Sequence, residues 1–121
     1  DAMKAVDIGV DGIVVSNHGG RQFDGNPASI SALPSIRQAV GPKYPLVFDS
    51  GIRSGLDILR ALALGADFVL VGRPFLYGLA AIGTHGGEHV AQILEEEIIN
   101  ALLQIGAKNI PELRQRLDLK N

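Results

Sequence analysis

Cysteine and tryptophan are absent from these 121 residues, and methionine occurs once. Without cysteine there is no disulfide, no thiolate metal ligand and no cysteine nucleophile, and a reducing cytoplasm is the compartment the composition fits. Neither sign of charge dominates. Eleven Lys and Arg stand against thirteen Asp and Glu, a formal charge of −2, with no basic block anywhere. A nucleic-acid or anionic-membrane surface is therefore not expected. No apolar run approaches the roughly 18 residues that span a bilayer. The opening, Asp1-Ala2-Met3-Lys4-Ala5, lacks the pattern of a secretory signal. What the chain does have is aliphatic residues and glycine. Hydrophobic residues make up 46% of it, material for a packed core of about one domain. Fifteen glycines against four Phe and two Tyr point to tight loops and aliphatic packing.

Three short aliphatic runs stand out: Gly12 to Ser16, Leu46 to Asp49 and Phe68 to Gly72. None alternates polar with apolar, so each reads as a strand of a parallel sheet buried on both faces. Helical patterns separate them. Ile58, Ala61, Leu62 and Gly65 form one stripe of a helix from about Ser54 to Leu64. Ser54 with Asp57 makes a capping box at its start. Ser29 to Val40 is a second helix with Pro34 near its beginning, and Ala2 to Ile8 is the tail of another that ends at Gly9. After Gly87 a long helix carries Val90, Ile93, Leu94, Ile98, Ala101, Leu102 and Ile105 on one face and ends at Gly106. Pro111 to Leu117 is a last short helix. Strands alternating with helices imply βαβ units. The outer two of three parallel strands would leave bare edges, and the chain does not start with Met. The expectation is that it is one part of a larger sheet.

Functional groups in parallel α/β folds gather beyond the carboxyl ends of the strands. Each run here is followed by its most unusual polar residues: Ser16-Asn17-His18-Gly19-Gly20-Arg21-Gln22, then Asp49-Ser50-Gly51-Ile52-Arg53-Ser54-Gly55, then Gly72-Arg73-Pro74. Glycine lets backbone amides approach a ligand, a helix N-terminus adds positive potential, and arginine supplies a planar fork of donors. Gly51 with Arg53 and Gly72 with Arg73 are thus expected to form an anion cradle. His18 titrates near neutrality and suits a general base, while Arg21 could clamp a carboxylate against it. Asp24 and Asn26 read as turn residues, Tyr77 as packing, and Glu95-Glu96-Glu97 as the solvated side of the long helix. Gly86 and Gly87 argue against a helix through both His85 and His89, and no metal site is expected. G-x-G-x-x-G, P-loop and G-x-S-x-G motifs are missing.

These loops, with Ala61-Leu62-Ala63-Leu64-Gly65-Ala66 between them, resemble the FMN-dependent 2-hydroxy-acid oxidase and dehydrogenase family over nearly the whole chain. The stretch Gln22 to Ser29 is most similar to lactate oxidases. The resemblance implies an α/β fold, the C-terminal portion (last three βα units) of a (β/α)₈ TIM barrel, with residues 1–121 part of one domain. It implies His18 as the base that takes a proton from a small, lactate-like L-2-hydroxy acid, and Arg21 as the carboxylate's partner. FMN would be held by Ser16, Asp49, Ser50, Gly51, Ile52, Arg53, Gly72 and Arg73. It further implies a lysine beside the flavin ring, tyrosines, and an aspartate that orients the histidine, all on strands outside this sequence. Family members are often tetramers. Two alternatives stay open: another FMN barrel, such as a relative of type 2 isopentenyl diphosphate isomerase, or a catalytically silent fragment.

Overall fold

A computed structural model describes residues 1–116. The order of elements is α1 (Ala2–Asp7), β1 (Ile13–Val15), α2 (Ser29–Val40), β2 (Leu46–Phe48), α3 (Gly55–Ala63), β3 (Phe68–Val69), α4 (Arg73–Ile82), α5 (Gly86–Ile105) and α6 (Ile110–Arg116). Single 3₁₀ turns occupy His18–Gly20 and Gly83–His85. The expected last helix starts at Ile110, and its proposed end at Leu117 lies outside the described residues.

The three strands pair in parallel in the order β1-β2-β3. Their register sets Val14, Val47 and Phe68 in one row and Val15, Phe48 and Val69 in the next. Pairing continues past the strand ends, since the Asp49 amide donates to Val15 and the Leu70 amide to Phe48. The three functional loops therefore leave the sheet at one level.

One face of the sheet is covered. Val15, Leu46 and Phe48 pack with Leu33 of α2, Ala61 of α3, Ile52 and Ala66. Burial of side chains the size of Phe48, Leu33 and Leu46, all fully enclosed, contributes about 1.5–3 kcal/mol each. The other face contradicts the expectation of strands buried on both sides. Val14 is 56% exposed, Phe68 62% and Leu70 43%. Helices here cover one side only, and three strands are too few to curl over the other. The continuous apolar runs are fitted to a second layer that this chain does not supply.

Several local expectations change as well. Pro34 is the sixth residue of α2, beyond the first turn where proline is best tolerated. On α5, Leu94 is buried and Ile98, Ala101 and Leu102 are partly so, but Ile93 and Ile105 are exposed. Gly86 and Gly87 belong to α5, with His85 as the residue before it. At Gly86 the helix crosses α4, where a Cβ would lie 2.1 Å from the Gly78 carbonyl. A second crossing sits at Gly55, whose missing Cβ would meet the backbone of Leu94 and Ile98 at 2.7 Å. Among the described residues no helix is long and apolar enough to cross a membrane.

Candidate active site

The loop after β1 begins with Ser16 and then turns sharply. His18, Gly19 and Gly20 have φ of +56°, +64° and +75°, the left-handed region that disfavours a residue such as histidine. Three consecutive amides of this turn find hydroxyl acceptors. Asn17 and Gly19 donate to Ser50 Oγ at 3.3 and 3.0 Å, and His18 donates to Ser16 Oγ at 3.0 Å. Both hydroxyls donate in turn to Asp49 Oδ2. Arg73 closes the turn from the third loop, with Nη2 donating to the Gly19 carbonyl at 2.6 Å. Glycine suits φ of +64° there, and a Cβ, 2.8 Å from that nitrogen, would displace the Arg73 fork. Ser29, buried at the start of α2, donates to the Asp49 carbonyl at 3.0 Å and fixes the end of β2.

The three loops enclose a cleft of about 500 Å³. His18, Arg21, Asp49, Ser50, Gly51, Ile52, Arg53, Gly72 and Arg73 all lie on its wall, so nine of the ten residues singled out from the sequence share one space. Ser16 is not on that wall, and its hydroxyl is engaged with Asp49 and His18. Ile52 is 4% exposed and its side chain belongs to the core. The sequence reading missed Gln22, Leu70 and Leu76, which also line the cleft. Leu70 and Leu76 belong to an aliphatic strand and helix, where nothing in the pattern separates a cleft leucine from a core one.

His18 and Arg21 are exposed and make no side-chain hydrogen bond among the described residues. Both are free to meet a ligand. Asp24 and Asn26 sit in the expected turn, closed by the Asn26 amide on the Phe23 carbonyl. No cluster of three or more metal-ligating side chains occurs among the described residues, His85 and His89 included.

The two halves of the expected anion cradle differ. At α3, Ser54 Oγ accepts from the Asp57 amide, as a capping box predicts, but Asp57 reaches the Arg53 amide instead of the cap's own. Glu97 of α5 takes the Gly55 amide at 2.6 Å, so this glutamate is more than the solvated residue expected of it. Partial burial works to raise the Asp57 carboxyl's pKa, but the Ser54 side chain, the Arg53 amide and Arg60 outweigh it and hold the group below the ordinary carboxylate value. Two of the chain's own carboxylates thus answer the positive end of α3. The N-terminus of α4 is different: it has no side-chain cap and no acidic residue in its first turn. Gly72 before it and Gly51 opposite face open space, with no heavy atom within 4 Å of where a Cβ would stand. Anion binding is therefore best served by the α4 end, with Arg73 and Arg53 beside it. Among the described residues Arg53 Nη1 donates to its neighbour Ile52's carbonyl and Arg73 Nη2 to Gly19, which leaves further donors on each guanidinium.

Known proteins carry the same segment. A family model described as FMN-dependent dehydrogenase matches residues 1–119. An L-lactate dehydrogenase of Ectopseudomonas mendocina (strain ymp) is 50% identical over 120 residues, 99% of this chain and 32% of the relative. One from Pseudomonas putida (strain F1) is 53% identical over 113 residues, 93% of this chain and 30% of the relative. A crystal structure described as a lactate oxidase of Pediococcus acidilactici superposes with a TM-score of 0.89 at 46% identity, covering 95% of this chain and 32% of that one. Mandelate oxidase with benzoylformic acid gives 0.88 at 47% identity, covering 95% and 34%, and a mutant of mandelate oxidase is known with a monooxide FMN adduct. The chain spans about a third of the length of these relatives.

Proposed function

Because the chain belongs to the FMN-dependent dehydrogenase family, we propose that the complete protein oxidises a small, lactate-like L-2-hydroxy acid to the 2-oxo acid. In this reading residues 1–121 are part of a single (β/α)₈ barrel domain and supply its last three βα units. The apolar row of Val14, Val47 and Phe68, with Val14 and Phe68 exposed and Val47 half-buried, then faces the barrel interior. The observation that carries the reading is the shared cleft: a histidine and an arginine three residues apart open onto the same space as two glycine–arginine turns.

Each group has a distinct task. Arg21 takes the substrate carboxylate in a bidentate pair and fixes the carbon–hydrogen and hydroxyl groups beside His18. His18, as general base, accepts the proton that leaves the acid. Gly72, Arg73, Gly51 and Arg53 hold the FMN phosphate, for which the open positions beside the two glycines and the uncapped start of α4 are suited. The backbone around Asp49, Ser50 and Ile52 would hold its ribityl chain. FMN, when bound, accepts the two electrons the acid gives up. The relatives described above are lactate and mandelate enzymes, which favours this reading over an isoprenoid isomerase.

The test uses the complete protein loaded with FMN under anaerobic conditions. L-Lactate should bleach the flavin absorbance and D-lactate should not; no bleaching by any short L-2-hydroxy acid would refute the assignment. Arg21→Lys should raise KM about tenfold or more, because a point charge cannot reproduce the planar fork. An unchanged KM would remove Arg21 from the substrate.

A further inference from the structure

Ser50 has a conformation that calls for an explanation. Its φ is +89°, and Gly51 follows at +82°. A serine at such an angle carries strain that glycine would not. Its hydroxyl is also the most heavily used in the molecule's polar end, accepting from the amides of Asn17 and Gly19 and donating to Asp49 Oδ2. Those two amides flank His18, whose own amide is held by Ser16 and whose φ is likewise positive. The three amides of an unfavourable turn are thus fixed by two hydroxyls, and both hydroxyls are oriented by a single carboxylate oxygen.

We propose that Ser50 is a positioning residue for His18: its hydroxyl, with Ser16 and Asp49, locks the turn that presents the imidazole to the cleft. This rests on the assignment of His18 as base, but it adds a role on the protein side to residues otherwise placed at the cofactor. The strained angle at Ser50 is explained by the same bonds. From that backbone position the hydroxyl stands between Asp49 and the two amides of the first loop. Ser16 fits the same account, since its hydroxyl is turned to Asp49 and the His18 amide and not to the cleft wall.

The experiment compares Ser50→Gly and Ser50→Ala with the unaltered complete protein. Glycine suits φ of +89° and keeps the fold, while alanine retains the strain, so a shared defect isolates the hydroxyl. Hydrogen exchange of the segment spanning Asn17 to Gly19 should quicken about five- to tenfold in both variants, a hydrogen bond's worth. Turnover should fall about tenfold or more as the base loses its placement. The affinity for FMN, followed by flavin fluorescence, should change less than turnover does, because the backbone at Ser50 remains, and the urea midpoint of Ser50→Gly should move little, relieved strain offsetting the lost hydrogen bonds. Unchanged exchange overturns the proposal, as does quickened exchange with unchanged turnover. Weaker FMN binding with unchanged exchange also overturns it, while leaving Ser50 at the cofactor. Because exchange needs no flavin, unchanged exchange overturns the proposal even if the protein were to take up no FMN.

Discussion

The two ends of the three strands use the same residue types to opposite effect. At the amino ends the arginines are closed. Arg37 donates through Nε to the Gly65 carbonyl, through Nη1 to the carbonyls of Gly41 and Tyr44, and through Nη2 to Asp67 Oδ2 at 2.6 Å. Arg114 reaches the Leu62 and Ala66 carbonyls, and Asp67 also accepts the Leu46 amide. At the carboxyl ends Arg21 and His18 stand open, and Arg53 and Arg73 are only partly engaged. An arginine enclosed by backbone carbonyls holds loops together; one beside bare glycines waits for an anion. The division matches the separation of stability from chemistry between the two faces of α/β barrels.

The sharpest way to break this comparison is to remove one group from each end. His18→Ala in the complete protein should lower turnover by about 10² to 10⁴-fold, the range of a positioned base, without moving the thermal midpoint. Activity within tenfold of the parent would place the base elsewhere. Arg37→Ala should do the reverse. Its side chain is 15% exposed and serves three carbonyls and a carboxylate, so its loss should cost about 2–4 kcal/mol in urea denaturation. The protein that stays folded should turn over at the parental rate. A variant with normal stability and poor turnover would erase the distinction between the ends.

The open end was legible in the sequence and the closed end was not. Gly-rich loops after aliphatic runs announce themselves by position, and His18, Arg21, Arg53 and Arg73 were reached from that alone. Arg37, Asp67 and Arg114 look like ordinary helix and turn charges, because most of their partners lie 21 to 52 residues away along the chain. The strands were found but are shorter than their aliphatic runs, since pairing sets their ends more tightly than hydropathy. The bounds of α2 match the pattern, whereas α4 was not delimited; only Pro74 marked its start, and its glycine at 78 is explained by the crossing with α5. The work done by Ser16 and Ser50 was invisible for a simpler reason. A loop serine has no periodicity, and only the fold shows which amide it serves.

The closed end also has a pH signature. Partial burial favours the neutral form of Asp67, but the Leu46 amide, Arg37 and Arg114 outweigh it and keep the carboxyl below its ordinary value of 3.8. A lowered folded value means that the charged form stabilises the fold, fully above the unfolded value and progressively less as pH falls through the folded one. Asp67→Asn should therefore be less stable than the parent at pH 7 and converge with it at strongly acidic pH. The gap should be about 1 kcal/mol or less, since the side chain is 41% exposed and water screens the pair. Asp57 is lowered in the same sense, so the variant should keep part of the acid slope and not lose all of it. Urea midpoints measured from pH 7 down to about pH 2 would resolve the two contributions. A gap that stays constant across that range would mean the carboxylate's charge contributes nothing to the clamp, and that Asp67 serves there only as a hydrogen-bond acceptor for Leu46 and Arg37.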